Sequence, residues 1–127
     1  MPFTRIALRE GKSAEYRQAL SAGVHRALQQ AFNVPVDDIF MTITEHGADN
    51  FFYGRDYLGI ARSDDLVMIQ ITANNTRTLA QKRELYRLIA DQLAESPGVR
   101  REDVFINLVE VLKENWSFGN GIAQYAI

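Results

Sequence analysis

Apolar residues recur at every fourth position between Tyr16 and Phe32, with Leu20, Val24 and Leu28 between them. That spacing lines them along one stripe of an α-helix. Ser13 stands where an N-cap hydroxyl belongs, so a helix is expected over 13–32. The stripe returns at Leu85, Leu88 or Ile89, and Leu93. Thr78, with Gln81 three residues later, reads as a capping box that opens this second helix, and Ser96-Pro97-Gly98 closes it. Four short runs flank the helices at 3–8, 39–44, 66–73 and 104–112. They are rich in apolar and β-branched residues and read as strands.

The two halves resemble each other. "VPVDDIFMTITE" (34–45) aligns with "VRREDVFINLVE" (99–110), an offset of 65 residues that carries Asp38 to Asp103, Phe40 to Phe105 and Glu45 to Glu110. The same offset carries Lys12 to Arg77 and Ser13 to Thr78. One strand–helix–strand unit is therefore written twice, over about 2–45 and 66–112, followed by a tail at 113–127. Such units pair their strands in parallel through right-handed crossovers. The expected fold is a single α+β domain, with two repeated βαβ units, a four-stranded sheet and two helices on one face. The chain of 127 residues holds no third layer for the opposite face, which points to association with further copies. The segment 45–65 between the units is long for a connection. Its Phe51, Phe52, Tyr53 and Tyr57 argue for packing, as a local loop, a lid or a subunit contact.

Composition narrows the possible chemistry. Hydrophobic residues make up 46% and charged residues 24%, with a net charge of −2 and no basic block. Nucleic acid is not expected as a partner. No apolar run suits a membrane helix and no leader pattern opens the chain, so the cytoplasm is the default location. The chain has no cysteine, so thiol chemistry and disulfides are excluded. His25 and His46 stand too far apart to suggest a metal site.

Three residue positions and one stretch offer chemistry. Pro2, if Met1 is removed, becomes a secondary amine at the start of a strand. An apolar surrounding or nearby cations would lower its pKa toward neutrality and suit it to general acid or base work. Arg77 stands just before the Thr78 cap, where helix N–H groups and a guanidinium together favour a carboxylate. Lys12 holds the equivalent place before the first helix. Asp38 is a further candidate, although its counterpart Asp103 makes a plain turn role equally natural. The tail "NWSFGNG" (115–121) sets Trp116 and Phe118 among glycines, with Tyr125 beyond, an unusual composition for a frayed end.

These features together resemble the tautomerase superfamily, and within it the malonate semialdehyde decarboxylase group. The matching stretches are "MPF" (1–3), "EGKS" (10–13), "AFNVPVDD" (31–38), "TRTLAQK" (76–82) and "NWSFGNGIAQY" (115–125). The resemblance implies a homotrimer with its sheets turned inward, acting on a small carboxylate-bearing oxo acid without metal or organic cofactor. It implies that Pro2 carries the chemistry, that Asp38 orients or activates the reacting group, and that Arg77 binds the substrate carboxylate. Trp116, Phe118 and Tyr125 would wall the pocket. The decarboxylase pattern has two arginines one residue apart. Here Asn75 occupies the first of those places, as a substrate-binding residue without charge. A keto–enol tautomerase of 2-oxo acids and a non-catalytic ligand-binding homologue are the alternative readings.

Overall fold

A computed structural model describes residues 1–126. Ile127, the last residue of the expected tail, lies outside the described residues. The main elements are β1 (Phe3–Arg9), α1 (Ala14–Phe32), β2 (Met41–His46), β3 (Val67–Asn74), α2 (Leu79–Glu95) and β4 (Val104–Val111). The sheet order is β2-β1-β3-β4. β1 and β2 run parallel, as do β3 and β4, and β1 meets β3 antiparallel. The expected α+β fold is therefore the observed one.

Both helices begin as their caps dictate. The Ser13 hydroxyl accepts the Tyr16 N–H at 3.1 Å. At α2 the Thr78 hydroxyl accepts from the Gln81 backbone at 3.2 Å, and the Gln81 side chain accepts the Thr78 N–H at 2.8 Å. Such a box satisfies two backbone donors that the first turn leaves free. Asn33 ends α1 in the left-handed region, with φ 57°. Leu20, Val24, Leu28 and Phe32 of α1 then bury with Leu85, Ile89 and Leu93 of α2 against Ile6, Leu8, Ile69 and Ile71 of the central strands. Each fully buried large apolar side chain contributes about 1.5–3 kcal/mol. The helices approach closely at Gly23, where an added Cβ would sit 2.8 Å from a Leu93 methyl carbon.

Strand register confirms the repeat. The 65-residue offset turns the β1–β2 pair Thr4–Met41 into the β3–β4 pair Ile69–Ile106, and it exchanges the β1–β3 pairs Phe3–Thr72 and Ala7–Met68. The domain thus has an approximate twofold axis through the middle of its sheet. The face away from the helices carries Phe3, Arg5, Met68, Gln70, Phe105, Asn107 and Val109, none of them fully buried.

One strand starts later than its apolar run suggests. β2 opens at Met41 rather than Ile39. A turn closed by the Asp38 N–H on the Pro35 carbonyl (3.1 Å) holds Ile39 and Phe40 outside the strand, both exposed.

Candidate active site

The amino terminus, the turn before β2, the end of β3 and the tail converge at one end of the sheet. Pro2 is buried at the start of β1. Just before it, the terminal amine of Met1 forms an ion pair with the Asp38 carboxylate, and both groups are largely shielded from solvent. Tyr125 turns its hydroxyl onto the Met1 sulfur. Asp38 is placed there by the Pro35 turn, and Phe40 by the strand-like hydrogen bond from Thr4 N–H to the Phe40 carbonyl (3.0 Å).

The tail forms a wall. Lys113–Asn115 makes one tight turn beyond β4. Trp116 then stacks on Phe118 with centroids 5.5 Å apart and planes 8° from parallel, and Phe118 meets Tyr125 edge-on at 4.9 Å. Phe40 lies 6.0 Å from Phe118. Gln124 ties the tail to itself, accepting the Phe118 N–H at 2.9 Å and donating to the Gly119 carbonyl at 2.9 Å. Gly119, with φ 136°, supplies a bend that a side chain would resist. The hollow between the wall and the start of β1 measures about 200 Å³ and is lined by Phe3, Phe40, Trp116, Ser117 and Phe118.

Arg77 projects from the loop before α2. Its guanidinium donates to the Phe32 carbonyl at 2.8 Å and lies 4.7 Å from the Phe32 ring centroid. It makes no ion pair among the described residues. Burial lowers its pKa, while Tyr125 and Asp38 push the other way through space. The Tyr125 phenol is raised above its ordinary value, first by burial and then by the charge of Asp38, with Arg77 opposing. The mouth therefore combines an amine position, a carboxylate, a half-buried cation and a phenol beside aromatic surface. Such a set can hold a small anion and move a proton.

Five of the residues singled out in the sequence meet here with Pro2: Asp38, Arg77, Trp116, Phe118 and Tyr125. Asn75 is exposed; its backbone N–H closes onto the Val111 carbonyl at 3.0 Å. Its neighbour Asn74, which sequence reasoning passed over, is buried and accepts the Trp116 indole N–H at 2.8 Å. Lys12, the counterpart of Arg77, is paired with Asp65 at 2.8 Å, and that hydrogen bond raises its pKa. His25 Nε2 lies 2.8 Å from the Val36 carbonyl, and His46 packs near Phe51 at 5.8 Å.

The 65-residue offset also relates the loop between the units to the tail. Ala48–Asn50 and Lys113–Asn115 are matching tight turns, and Phe51, Tyr53 and Gly54 fall at the places of Trp116, Phe118 and Gly119.

A family model described as "Tautomerase enzyme" matches residues 38–119, and a second of the same description matches residues 2–61. The chain belongs to the tautomerase superfamily. The chain is 45% identical to "Probable tautomerase YusQ" of Bacillus subtilis (strain 168), over 98% of each chain. Among solved structures, it superposes on a malonate semialdehyde decarboxylase with a TM-score of 0.93, at 28% identity, covering 98% of this chain and 95% of that one. A second, the FG41 malonate semialdehyde decarboxylase inhibited by 3-bromopropiolate, matches with a TM-score of 0.92 at 35% identity, covering 98% and 94%.

Proposed function

We propose that this tautomerase-superfamily enzyme uses Pro2, freed by loss of Met1, to act on small oxo acids, and that its reaction is decarboxylation of a short 3-oxo acid. The observation that carries the reading is the amino terminus itself, held beside Asp38 in a mouth walled by Trp116, Phe118 and Tyr125. The likeness to two malonate semialdehyde decarboxylases supports the choice of substrate class.

In this reading Arg77 grips the substrate carboxylate and turns it out of the carbonyl plane. The bond between that carboxylate and the adjacent carbon breaks, carbon dioxide leaves, and the electron pair becomes an enolate. A protonated Pro2 stabilises the enolate oxygen, with Asp38 positioning the amine. The enolate carbon then takes a proton from the ammonium or from water. The aromatic wall limits water and so strengthens each charge interaction in the mouth.

Keto–enol tautomerisation of a 2-oxo acid such as phenylpyruvate is the second reading. It is favoured by Asn75 in place of the decarboxylases' first arginine and by the relative described as a probable tautomerase. There the amine is neutral and shuttles the proton itself. A homotrimer completes the proposal, because the sheet face opposite the helices leaves Phe105 and Val109 exposed.

The test is covalent labelling. Processed protein, checked by intact mass for loss of one methionine, is treated with 3-bromopropiolate and digested. An adduct on the peptide beginning at Pro2, formed in step with loss of oxo-acid turnover, is the expected result. Full inactivation with an unmodified amino-terminal peptide removes Pro2 from the mechanism.

A further inference from the structure

The two ends of the sheet are copies, so a contact present at only one of them calls for a local reason. Asn74 and Trp116 form such a contact. Asn74 is the last residue of β3, 6% exposed, and its Oδ1 accepts the indole N–H of Trp116 at 2.8 Å. The offset places Arg9 where Asn74 stands and Phe51 where Trp116 stands. Arg9 is paired instead with Asp64 at 3.3 Å, and Phe51, having no N–H, is simply buried at 5% exposure. Among the described residues, the polar pin thus occurs only at the end that holds the amino terminus.

The pin has consequences beyond its own two residues. Trp116 is only partly buried, and its ring stacks on Phe118, which in turn meets Tyr125, whose hydroxyl reaches the Met1 sulfur. Fixing the indole to the sheet therefore also fixes the wall of the hollow that Phe3, the neighbour of Pro2, lines from the other side. Without an acceptor, the indole N–H is left unsatisfied against the sheet or must swing toward water, and either outcome displaces the ring.

We infer that Asn74 is a positioning residue of the active site, acting through the Trp116 indole to hold the aromatic wall over the catalytic amine. This rests on the function proposed above, but its test does not depend on turnover alone. Trp116 is the chain's single tryptophan, so its spectra report this contact directly.

In the unsubstituted protein the single indole N–H resonance should exchange slowly with solvent. Asn74→Leu should speed that exchange, shift tryptophan emission to longer wavelength, raise quenching by acrylamide and lower kcat/KM for oxo acids about tenfold. Asn74→Asp keeps an acceptor oxygen and should hold emission near its original position. In a Trp116→Phe background, Asn74→Leu should change kcat/KM less than twofold, because the donor is already gone. Fast indole exchange in the unsubstituted protein overturns the inference without any variant needing to fold. So does an equal loss of activity from Asn74→Leu in both backgrounds. If no oxo acid is turned over but the indole is protected and responds to Asn74→Leu, the positional contact stands and the proposed function fails.

Discussion

The sheet has two mouths related by the repeat, and they have come to opposite electrostatic ends. At the amine end, Arg77 has no carboxylate partner among the described residues, Asp38 meets only the terminal amine, and the hollow is about 200 Å³. At the other end, Lys12 is paired with Asp65 and Arg9 with Asp64. Asp103 is fully buried, accepting the Ser63 N–H at 2.7 Å and the Ser63 hydroxyl at 2.6 Å. Tyr53 donates to Asp64 at 2.6 Å, and Arg62 is spent on the carbonyls of Gly54, Tyr57 and Ile60. A larger hollow of about 400 Å³ remains there, lined largely by Phe52, Tyr53, Tyr57, Leu66 and Phe105. Size therefore does not mark the reactive mouth. What sets the proposed site apart is unspent charge beside a chain start, since a mid-chain Val67 offers no amine where the proposal places one at Pro2.

The sharpest way to test this contrast is at the amine. Pro2→Ala, with Met1 removed, should lower kcat/KM at least about a hundredfold, the usual span for losing a positioned acid or base. Circular dichroism should be unchanged. Near-normal turnover would move the chemistry away from the chain start and erase the distinction between the two mouths.

Next in size is the cation. Arg77→Ala should reduce kcat/KM for oxo acids by about one to two powers of ten, the worth of a charge-assisted hydrogen bond, and should affect the neutral ester far less. Lys12→Ala, its counterpart, should leave both rates unchanged. Equal damage to acid and ester from Arg77→Ala would make Arg77 a structural residue that merely caps the Phe32 carbonyl.

The aspartates should divide along the same line with smaller effects. Asp103→Ala leaves two Ser63 donors unmet and should cost about 1–3 kcal/mol of stability in urea titration, with kcat/KM kept. Asp38→Ala should do the reverse, slowing turnover about tenfold with little loss of stability. If both variants lose stability alike, Asp38 is a turn residue and nothing more.

Much of this architecture is legible in the sequence because local signals agree with one another. The apolar stripes, the Ser13 and Thr78 caps and the 65-residue offset each point to the same doubled unit. The site residues are legible mainly through resemblance, since a lone Pro2 or Arg77 has an ordinary surface explanation. Two things are harder to see. A strand read as ending at residue 73 hides Asn74, because side chains alternate between faces and one further residue decides which asparagine meets the tail. The kinship of loop and tail was within reach of the same offset, through Asn50 with Asn115 and Gly54 with Gly119. It is harder to see because the strands that carry the repeat end at His46 and Val111, before the loop and the tail begin. Ile39 and Phe40 mislead for a third reason, because apolar residues left exposed after a turn, Phe40 among them lining the hollow, have the composition of a strand.

The burial of the chain start also bears on how the protein is made. Where a ribosome begins translation usually matters little to a folded domain. Here a start codon placed even one triplet upstream, or a purification tag left on the amino end, would replace a titratable nitrogen with an amide. It would also replace the charged amine that pairs with Asp38. Under the function proposed above, initiation and processing would become determinants of reactivity, and recombinant material should be released from any amino-terminal fusion before its activity is judged.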